Sequence, residues 1–236
     1  MAGLPVTSVV LDMDGLLINT EPTWRAAEAE VFAALGVELT EAELLAATGQ
    51  ATAELAAIWR QRRPQSARQA SELDQLTNAE IEDRVTDLVI GYVMAEGEPM
   101  AGVREAIAMF RRSGLGLAIA SSSPMRLIDV VCQRLGLDDI TVRCSAFDEA
   151  HGKPAPDVYL SAARKLGASP ARCLAIEDSP SGVQAAKAAG MRCLAVPDPL
   201  LATDPRYRDA DLVLPSLERL DDQAVRFLGL EAACEA

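Results

Sequence analysis

Aromatic residues are scarce in this sequence: two Trp, three Tyr and four Phe make up 4% of its 236 residues. A core built from it must be filled by aliphatic side chains and Ala. His151 is the only histidine, and no serine, cysteine or histidine triad suggests itself. The five cysteines, Cys132, Cys144, Cys173, Cys193 and Cys234, are scattered, odd in number and free of any C-x-x-C pair. They read as reduced core thiols rather than as a disulfide framework or a zinc site. No apolar run approaches the length of a membrane span. The opening stretch MAGLPVTSVVLDMDG has no basic region before its short apolar run, so no signal peptide and a cytoplasmic location are expected. Positive charge is also short. With 35 acidic against 22 basic side chains the net charge is −13, a surface that repels phosphate backbones and anionic lipid. Neither nucleic acid nor membrane is an expected partner.

What is present is a folded composition, 50% hydrophobic and 24% charged, which excludes intrinsic disorder. Val6 to Leu11 is a short, β-branched apolar run that stops at acidic residues and Gly15, as a buried parallel strand does when it delivers a loop at its carboxyl end. Similar runs follow at Leu115 to Ala120, Ile140 to Cys144, Cys173 to Ile176, Cys193 to Val196 and Leu212 to Leu214. Amphipathic stretches separate most of them. One of these, Pro124 to Leu135, places Leu127, Ile128, Val131 and Leu135 on one face and stops at Gly136. This alternation predicts an α/β fold with a Rossmann-like, doubly wound parallel sheet.

Residues 18–98 break the alternation. They contain no convincing strand, but they do contain a helical stripe of Trp24, Ala27, Val31 and Leu35 ending at Gly36, and a capping box of Thr40 with Glu43. The expected organisation is a core of residues 1–17 and 99–236 with an inserted helical domain of residues 18–98. Its connections, Asn19 to Pro22 and Glu96 to Pro99, read as hinges. The basic cluster of Arg60, Arg62, Arg63 and Arg68 inside the insertion reads as a solvated surface loop.

Four features at the carboxyl ends of expected strands carry chemistry. Asp12 and Asp14, in a D-x-D-G pattern with Gly15, enter the crevice where α/β proteins bind ligands, and two such carboxylates are costly without a cation; alternatively they cap turns in an Asx-type loop. Ser121, Ser122 and Ser123 precede a helix, where hydroxyls and backbone N–H groups can form an anion site; the alternative, which does not exclude it, is that Ser123 caps the helix beginning at Pro124. Lys153 is one of only three lysines against 19 arginines, and its compact ammonium suits a phosphate oxygen or a carboxylate better than a guanidinium fork does. His151 beside it is expected to be an exposed loop histidine. Glu177 and Asp178 lie where another strand reaches the crevice, with helix N-capping by Asp178 as the alternative. Together these groups make a phosphoryl-transfer site: acids for Mg²⁺, hydroxyls and a lysine for phosphate oxygens, and a carboxylate nucleophile.

The segments LDMDGLLINTEP, ASSSP, GKPAPDVYLSAARKLG and AIEDSPSGVQAAKAAGM resemble the four ordered motifs of the haloacid dehalogenase superfamily, in its branch with a helical cap after the first motif. The resemblance covers nearly the whole chain. It implies that Asp12 is the nucleophile that becomes an aspartyl phosphate, and that Asp14 protonates the leaving oxygen and then deprotonates water. It implies Mg²⁺ held by Asp12, the Asp14 carbonyl and Asp178 with Glu177 in support, and phosphate oxygens held by Ser121, the Ser122 backbone and Lys153. The expected enzyme is a Mg²⁺-dependent phosphatase, a phosphoric monoester hydrolase acting on small phosphorylated sugars or sugar alcohols, and a monomer. Its rivals are a β-phosphoglucomutase-like isomerase and, from another class, a phospho-acceptor signalling protein without turnover. Related mutases carry a histidine where this chain has Trp24, which disfavours the isomerase. Related sugar phosphatases often carry a cap arginine where this chain reads Gln50, Ala51 and Thr52 after Gly49. Trp24 and Trp59 are expected to pack the cap core rather than stack on a sugar.

Overall fold

The computed structural model describes residues 4–47, 52–62, 75–199 and 201–230. Gly49, Gln50, Ala51, Arg63, Arg68 and Cys234 lie outside them. The described residues divide into two compact units, one of Met1–Asn19 with Glu98–Ala236 and one of Thr20–Gly97.

The larger unit is built on six strands, β1 (Ser8–Leu11), β2 (Gly116–Ser121), β3 (Val142–Ser145), β4 (Cys173–Glu177), β5 (Arg192–Ala195) and β6 (Leu212–Val213). They form one sheet in the order β3-β2-β1-β4-β5-β6, and every pairing is parallel. The central strands β1 and β4 are buried along their whole length, as strands covered on both faces must be, which is why they read as unbroken apolar runs. The chain reverses its direction of winding at β1, between β2 and β4. In such a sheet the crevice at the carboxyl ends of the strands flanking that reversal is where ligands bind, and Asp12 and Glu177 stand there.

With few aromatics, the core is an aliphatic and Ala-rich layer. Ala118 and Ala120 on β2, Ala175 on β4, and Ala162, Ala163, Ala185 and Ala186 on the helices all belong to one buried cluster, in which Tyr159 and Tyr207 are the large members. Small side chains let helix backbones approach the sheet closely. The helices of this unit are labelled here after the four of the smaller one: α5 (Val103–Arg112), α6 (Met125–Leu135), α7 (Asp157–Lys165), α8 (Pro180–Ala188) and α9 (Asp222–Leu228). Cys132, Cys144, Cys173 and Cys193 are free and buried. Burial pushes the Cys132 and Cys173 thiols up to about 11, so neither is a thiolate at neutral pH.

The smaller unit contains α1 (Glu21–Ala34), α2 (Glu41–Ala47), α3 (Thr52–Trp59) and α4 (Asn78–Glu96). Its core is α4 against α1 and α3, with Phe32 and Trp59 packed edge to face, ring centroids 4.8 Å apart. Trp59 is thus a packing residue, and Trp24 is half-buried on α1. The capping box at Thr40 and Glu43 forms as expected, with Thr40 N–H donating to Glu43 at 2.8 Å and Glu43 N–H to the Thr40 hydroxyl at 3.3 Å. A second box, Thr77 with Glu80, starts α4. Arg60 is tied to the Leu76 carbonyl and to Asn78, and Arg62 to Glu43. No helix among the described residues is long and apolar enough to cross a membrane.

Candidate active site

Asp12 is the first residue past β1, and its N–H donates to the Ile176 carbonyl of β4 at 3.0 Å, so the neighbouring strand fixes the backbone that presents its carboxylate. The chain then turns tightly, with Gly15 N–H donating to the Ile18 carbonyl at 2.9 Å. Gly15 has φ 78°, and a Cβ at this position would land on the Asp178 carboxylate. Two independent constraints therefore require glycine there, the left-handed backbone and the close approach of Asp178. The second constraint shows that Asp178 lies against the Asp12–Gly15 turn.

Lys153 reaches this point from the loop after β3. Its ammonium donates to Asp12 Oδ1 at 2.5 Å, to Glu177 Oε1 at 2.6 Å and to the Ala120 carbonyl at 3.1 Å. All three ammonium protons are thereby directed. Burial opposes the Lys153 charge, but the Asp12 and Glu177 carboxylates outweigh it and hold the ammonium well above the ordinary lysine range. Burial pushes the Asp12 carboxyl up; Lys153 pulls it down, while Glu177 and Asp14 push it further up. One ammonium thus stands against four carboxylates, and the surplus negative charge calls for a cation.

Glu177, fully buried at the end of β4, is saturated by donors. Its Oε1 accepts from Lys153 and from the Tyr159 hydroxyl, each at 2.6 Å, and its Oε2 from the N–H groups of Asp178 and Ser179 and the Ser179 hydroxyl at 3.0–3.1 Å. Helix α8 begins so close to it that a Cβ on Gly182 would overlap the Glu177 carboxyl. Asp178 does not cap that helix. Ser179 does, accepting from Gly182 N–H at 3.0 Å, so the capping alternative for Asp178 is one residue out of register.

Asp14 is held differently. The Ser121 and Ser123 hydroxyls donate to its Oδ2 at 3.1 and 2.8 Å, and Ser123 N–H donates to the Ser121 hydroxyl at 2.9 Å. Ser123 is therefore no helix cap: α6 starts after Pro124 without a side-chain cap, because the serine spends its hydroxyl on a carboxylate. Ser145 at the end of β3 braces the turn by donating to the Ser123 carbonyl at 2.7 Å. The Ser122 side chain is exposed. His151 is exposed and faces Asp157 at 3.4 Å, away from the Lys153 ammonium cluster.

The structure thus brings Asp12, Asp14, Ser121, Lys153, Glu177 and Asp178 to one end of the sheet. Ser123 and Ser179, from the same two sequence features, join them, and the structure adds Ser145, Tyr159 and Tyr207, of which the tyrosines escape any local sequence signal. The carboxylate oxygens of Asp12, Glu177 and Asp178 lie within 4.8 Å of one another, all three buried. Hard oxygen donors of this kind suit Mg²⁺. The fit is closest for Asp12 and Asp178, since Glu177 already accepts from five donors.

The family model of the haloacid dehalogenase-like hydrolases matches residues 6–190. The chain is 37% identical over 217 residues to hexitol phosphatase B of Escherichia coli (strain K12), covering 91% of this chain and 94% of that protein. It is 29% identical to the fructose-1-phosphate phosphatase YqaB of the same organism, covering 78% and 92%. The solved structure of CbbY from Rhodobacter sphaeroides in complex with phosphate superposes with a TM-score of 0.78 at 30% identity, covering 91% of this chain and 96% of that one.

Proposed function

This chain belongs to the haloacid dehalogenase-like hydrolases and is a phosphoric monoester hydrolase, and we propose that it is a Mg²⁺-dependent phosphatase of hexose or hexitol phosphates working through an aspartyl phosphate on Asp12. The observation that carries this reading is the contrast between two neighbouring aspartates: Asp12 is pinned by an ammonium, Asp14 by two hydroxyls. The ammonium aims the Asp12 oxygen and offsets part of the burial and neighbouring negative charge that push this carboxyl up, as a buried nucleophile requires. Asp14 instead takes two hydroxyl donors from the carboxyl end of β2, at the position this reading gives to the proton shuttle.

In the first step a carboxylate oxygen of Asp12 bonds to phosphorus, the ester P–O bond breaks, and Asp14 gives its proton to the departing sugar oxygen. In the second, Asp14 takes a proton from water as the water oxygen bonds to phosphorus, the Asp12–phosphorus bond breaks and inorganic phosphate leaves. Lys153 offsets the repulsion between the Asp12 carboxylate and the phosphate anion throughout, and Ser121 with the Ser122 backbone would receive phosphate oxygens. Asp12, the Asp14 carbonyl and Asp178 would hold Mg²⁺, which when bound supplies positive charge against the phosphate. The Thr20–Gly97 unit is assigned the role of a cap that excludes bulk water and reads the leaving group. The names of the hexitol and fructose-1-phosphate phosphatases support the substrate class.

The test is intact-protein mass after rapid mixing with p-nitrophenyl phosphate, followed by peptide mapping. Asp12→Asn should take up no phosphate. Asp14→Asn should still be phosphorylated by this good leaving group, far faster than by a sugar phosphate, and should lose it slowly. Phosphate mapped to Ser121, or equal turnover in both variants, would refute the roles. Net release of inorganic phosphate from a hexose and hexitol phosphate panel separates this reading from a mutase.

A further inference from the structure

The chain has three tyrosines. Tyr92 is exposed on α4, whereas Tyr159 and Tyr207 are buried in the Ala-rich core. A buried tyrosine needs a partner for its hydroxyl, which phenylalanine would not. Both of these hydroxyls end on consecutive residues of the site. Tyr159, on α7, donates to Glu177 Oε1 at 2.6 Å. Tyr207, in the short helical turn Pro205–Asp209, donates to the Asp178 carbonyl.

We propose that Tyr159 and Tyr207 are positioning residues that clamp the Glu177–Asp178 turn from two elements, Tyr159 setting the aim of Lys153 and the nucleophile, and Tyr207 setting the placement of the Asp178 carboxylate. This rests on the phosphatase reading above. Glu177 Oε1 is shared by Tyr159 and Lys153, and Lys153 in turn is shared by Glu177 and Asp12. Removing the Tyr159 hydroxyl leaves Lys153 as the one donor to that oxygen among the described residues. The ammonium is then drawn toward Glu177 and away from Asp12. The Tyr159 ring lies 5.1 Å from the Lys153 ammonium, so phenylalanine keeps the ring beneath the cation and isolates the effect of the hydroxyl. On the other side, Asp178 approaches Gly15 so closely that no Cβ fits between them. A turn released at the Asp178 carbonyl therefore shifts that carboxylate relative to the Asp12–Gly15 loop. Neither tyrosine touches the reacting atoms; each acts through its neighbour.

The experiment uses the full chain with Tyr159→Phe and Tyr207→Phe. Three readouts are taken: the melting temperature, the Mg²⁺ dissociation constant by calorimetry without substrate, and the single-turnover rate of Asp12 phosphorylation by p-nitrophenyl phosphate at saturating Mg²⁺. A lost hydrogen bond to a charged group corresponds to about tenfold. Tyr159→Phe should slow phosphorylation by about that factor and leave the Mg²⁺ constant within about twofold, while Tyr207→Phe, which gives up a bond to a neutral carbonyl, should weaken Mg²⁺ binding about fivefold and leave phosphorylation at saturating Mg²⁺ within about twofold. The Tyr159→Phe effect should vanish in a Glu177→Gln background, since the two act through one oxygen. Wild-type values in both variants, or the same loss of both readouts in each in step with melting temperature, would overturn the clamp. If a variant fails to fold, 3-fluorotyrosine in the wild-type chain decides: Mg²⁺ must move the ¹⁹F resonances of Tyr159 and Tyr207, and no movement at either overturns it. If instead the wild-type protein takes no phosphate on Asp12, it is the phosphatase reading that fails.

Discussion

Glu28 sits on the buried stripe of α1, 5% exposed, where an acid is costly. Its Oε1 accepts from the Thr52 hydroxyl at 3.0 Å, which ties α1 to the start of α3. Burial pushes its carboxyl from 4.5 up to about 7; the Thr52 bond and Arg25 pull it down, and Glu21 pushes it up. The folded carboxyl thus binds its proton more tightly than the unfolded one. Stability from this group is fully present below pH 4.5 and is lost as the pH rises through 7. The full loss is about 3 kcal/mol, of which about 2.5 kcal/mol falls between pH 5 and pH 8. Glu28→Gln keeps an acceptor for Thr52 and never ionises. Relative to wild type it should therefore gain about 2.5 kcal/mol between pH 5 and pH 8, on the order of 1–2 M in urea midpoint. Both tryptophans of the chain, Trp24 and Trp59, lie in the Thr20–Gly97 unit, so fluorescence-detected urea unfolding reads that unit by itself. A difference between variant and wild type that stays flat from pH 5 to pH 8 would refute the burial argument.

Two further outcomes follow from the larger unit. Exhaustive EDTA treatment should abolish turnover and Mg²⁺ should restore it, with Asp178→Asn needing at least about tenfold more Mg²⁺ than wild type; full activity after EDTA would refute the metal assignment. Gly182→Ala puts a methyl group where the Glu177 carboxyl lies, so it should destabilise by about 1–3 kcal/mol and cost turnover beyond its share of unfolded protein, measured by chemical denaturation and steady-state rates. Unchanged turnover in the folded variant would show that Glu177 can move without consequence.

The parallel sheet is legible because strands covered on both faces must be apolar throughout, and β1 and β4 are. The ends of elements are less so. Leu115 to Ala120 corresponds to Gly116–Ser121, and Ile140 to Cys144 to Val142–Ser145, since apolar character marks burial and not the hydrogen-bond ladder. Asp12, Asp14, Ser121, Lys153, Glu177 and Asp178 could be singled out because acids, hydroxyls and a rare lysine follow apolar runs. The two helix caps are instructive misreadings. Ser123 and Asp178 each stand where a cap is favoured, but cap preference is a local rule: at Ser123 it yields to a tertiary partner, and at Asp178 the cap falls one residue later. Ser123 meets the Asp14 carboxylate instead, and Ser179 caps α8.

The same logic explains what stayed hidden. Tyr159 and Tyr207 bond residues 18 and 29 positions away, and no window of sequence holds both partners. Glu28 was visible in part: Trp24, Ala27 and Val31 define the apolar stripe of α1, and position 28 falls on it. An acid on that stripe breaks the helical pattern, just as acids at the end of a buried strand break the apolar one. In each case the broken rule is local and the compensation is distant: Thr52 for Glu28, Lys153 for Asp12, two serines for Asp14. A residue that violates its own element's pattern is stable only if another element supplies a partner, and those enforced pairings are what bring chemistry-bearing groups together. The exceptions to the pattern therefore locate the site more sharply than the pattern does, and Glu28 marks the place in the helical unit where the same test is to be made.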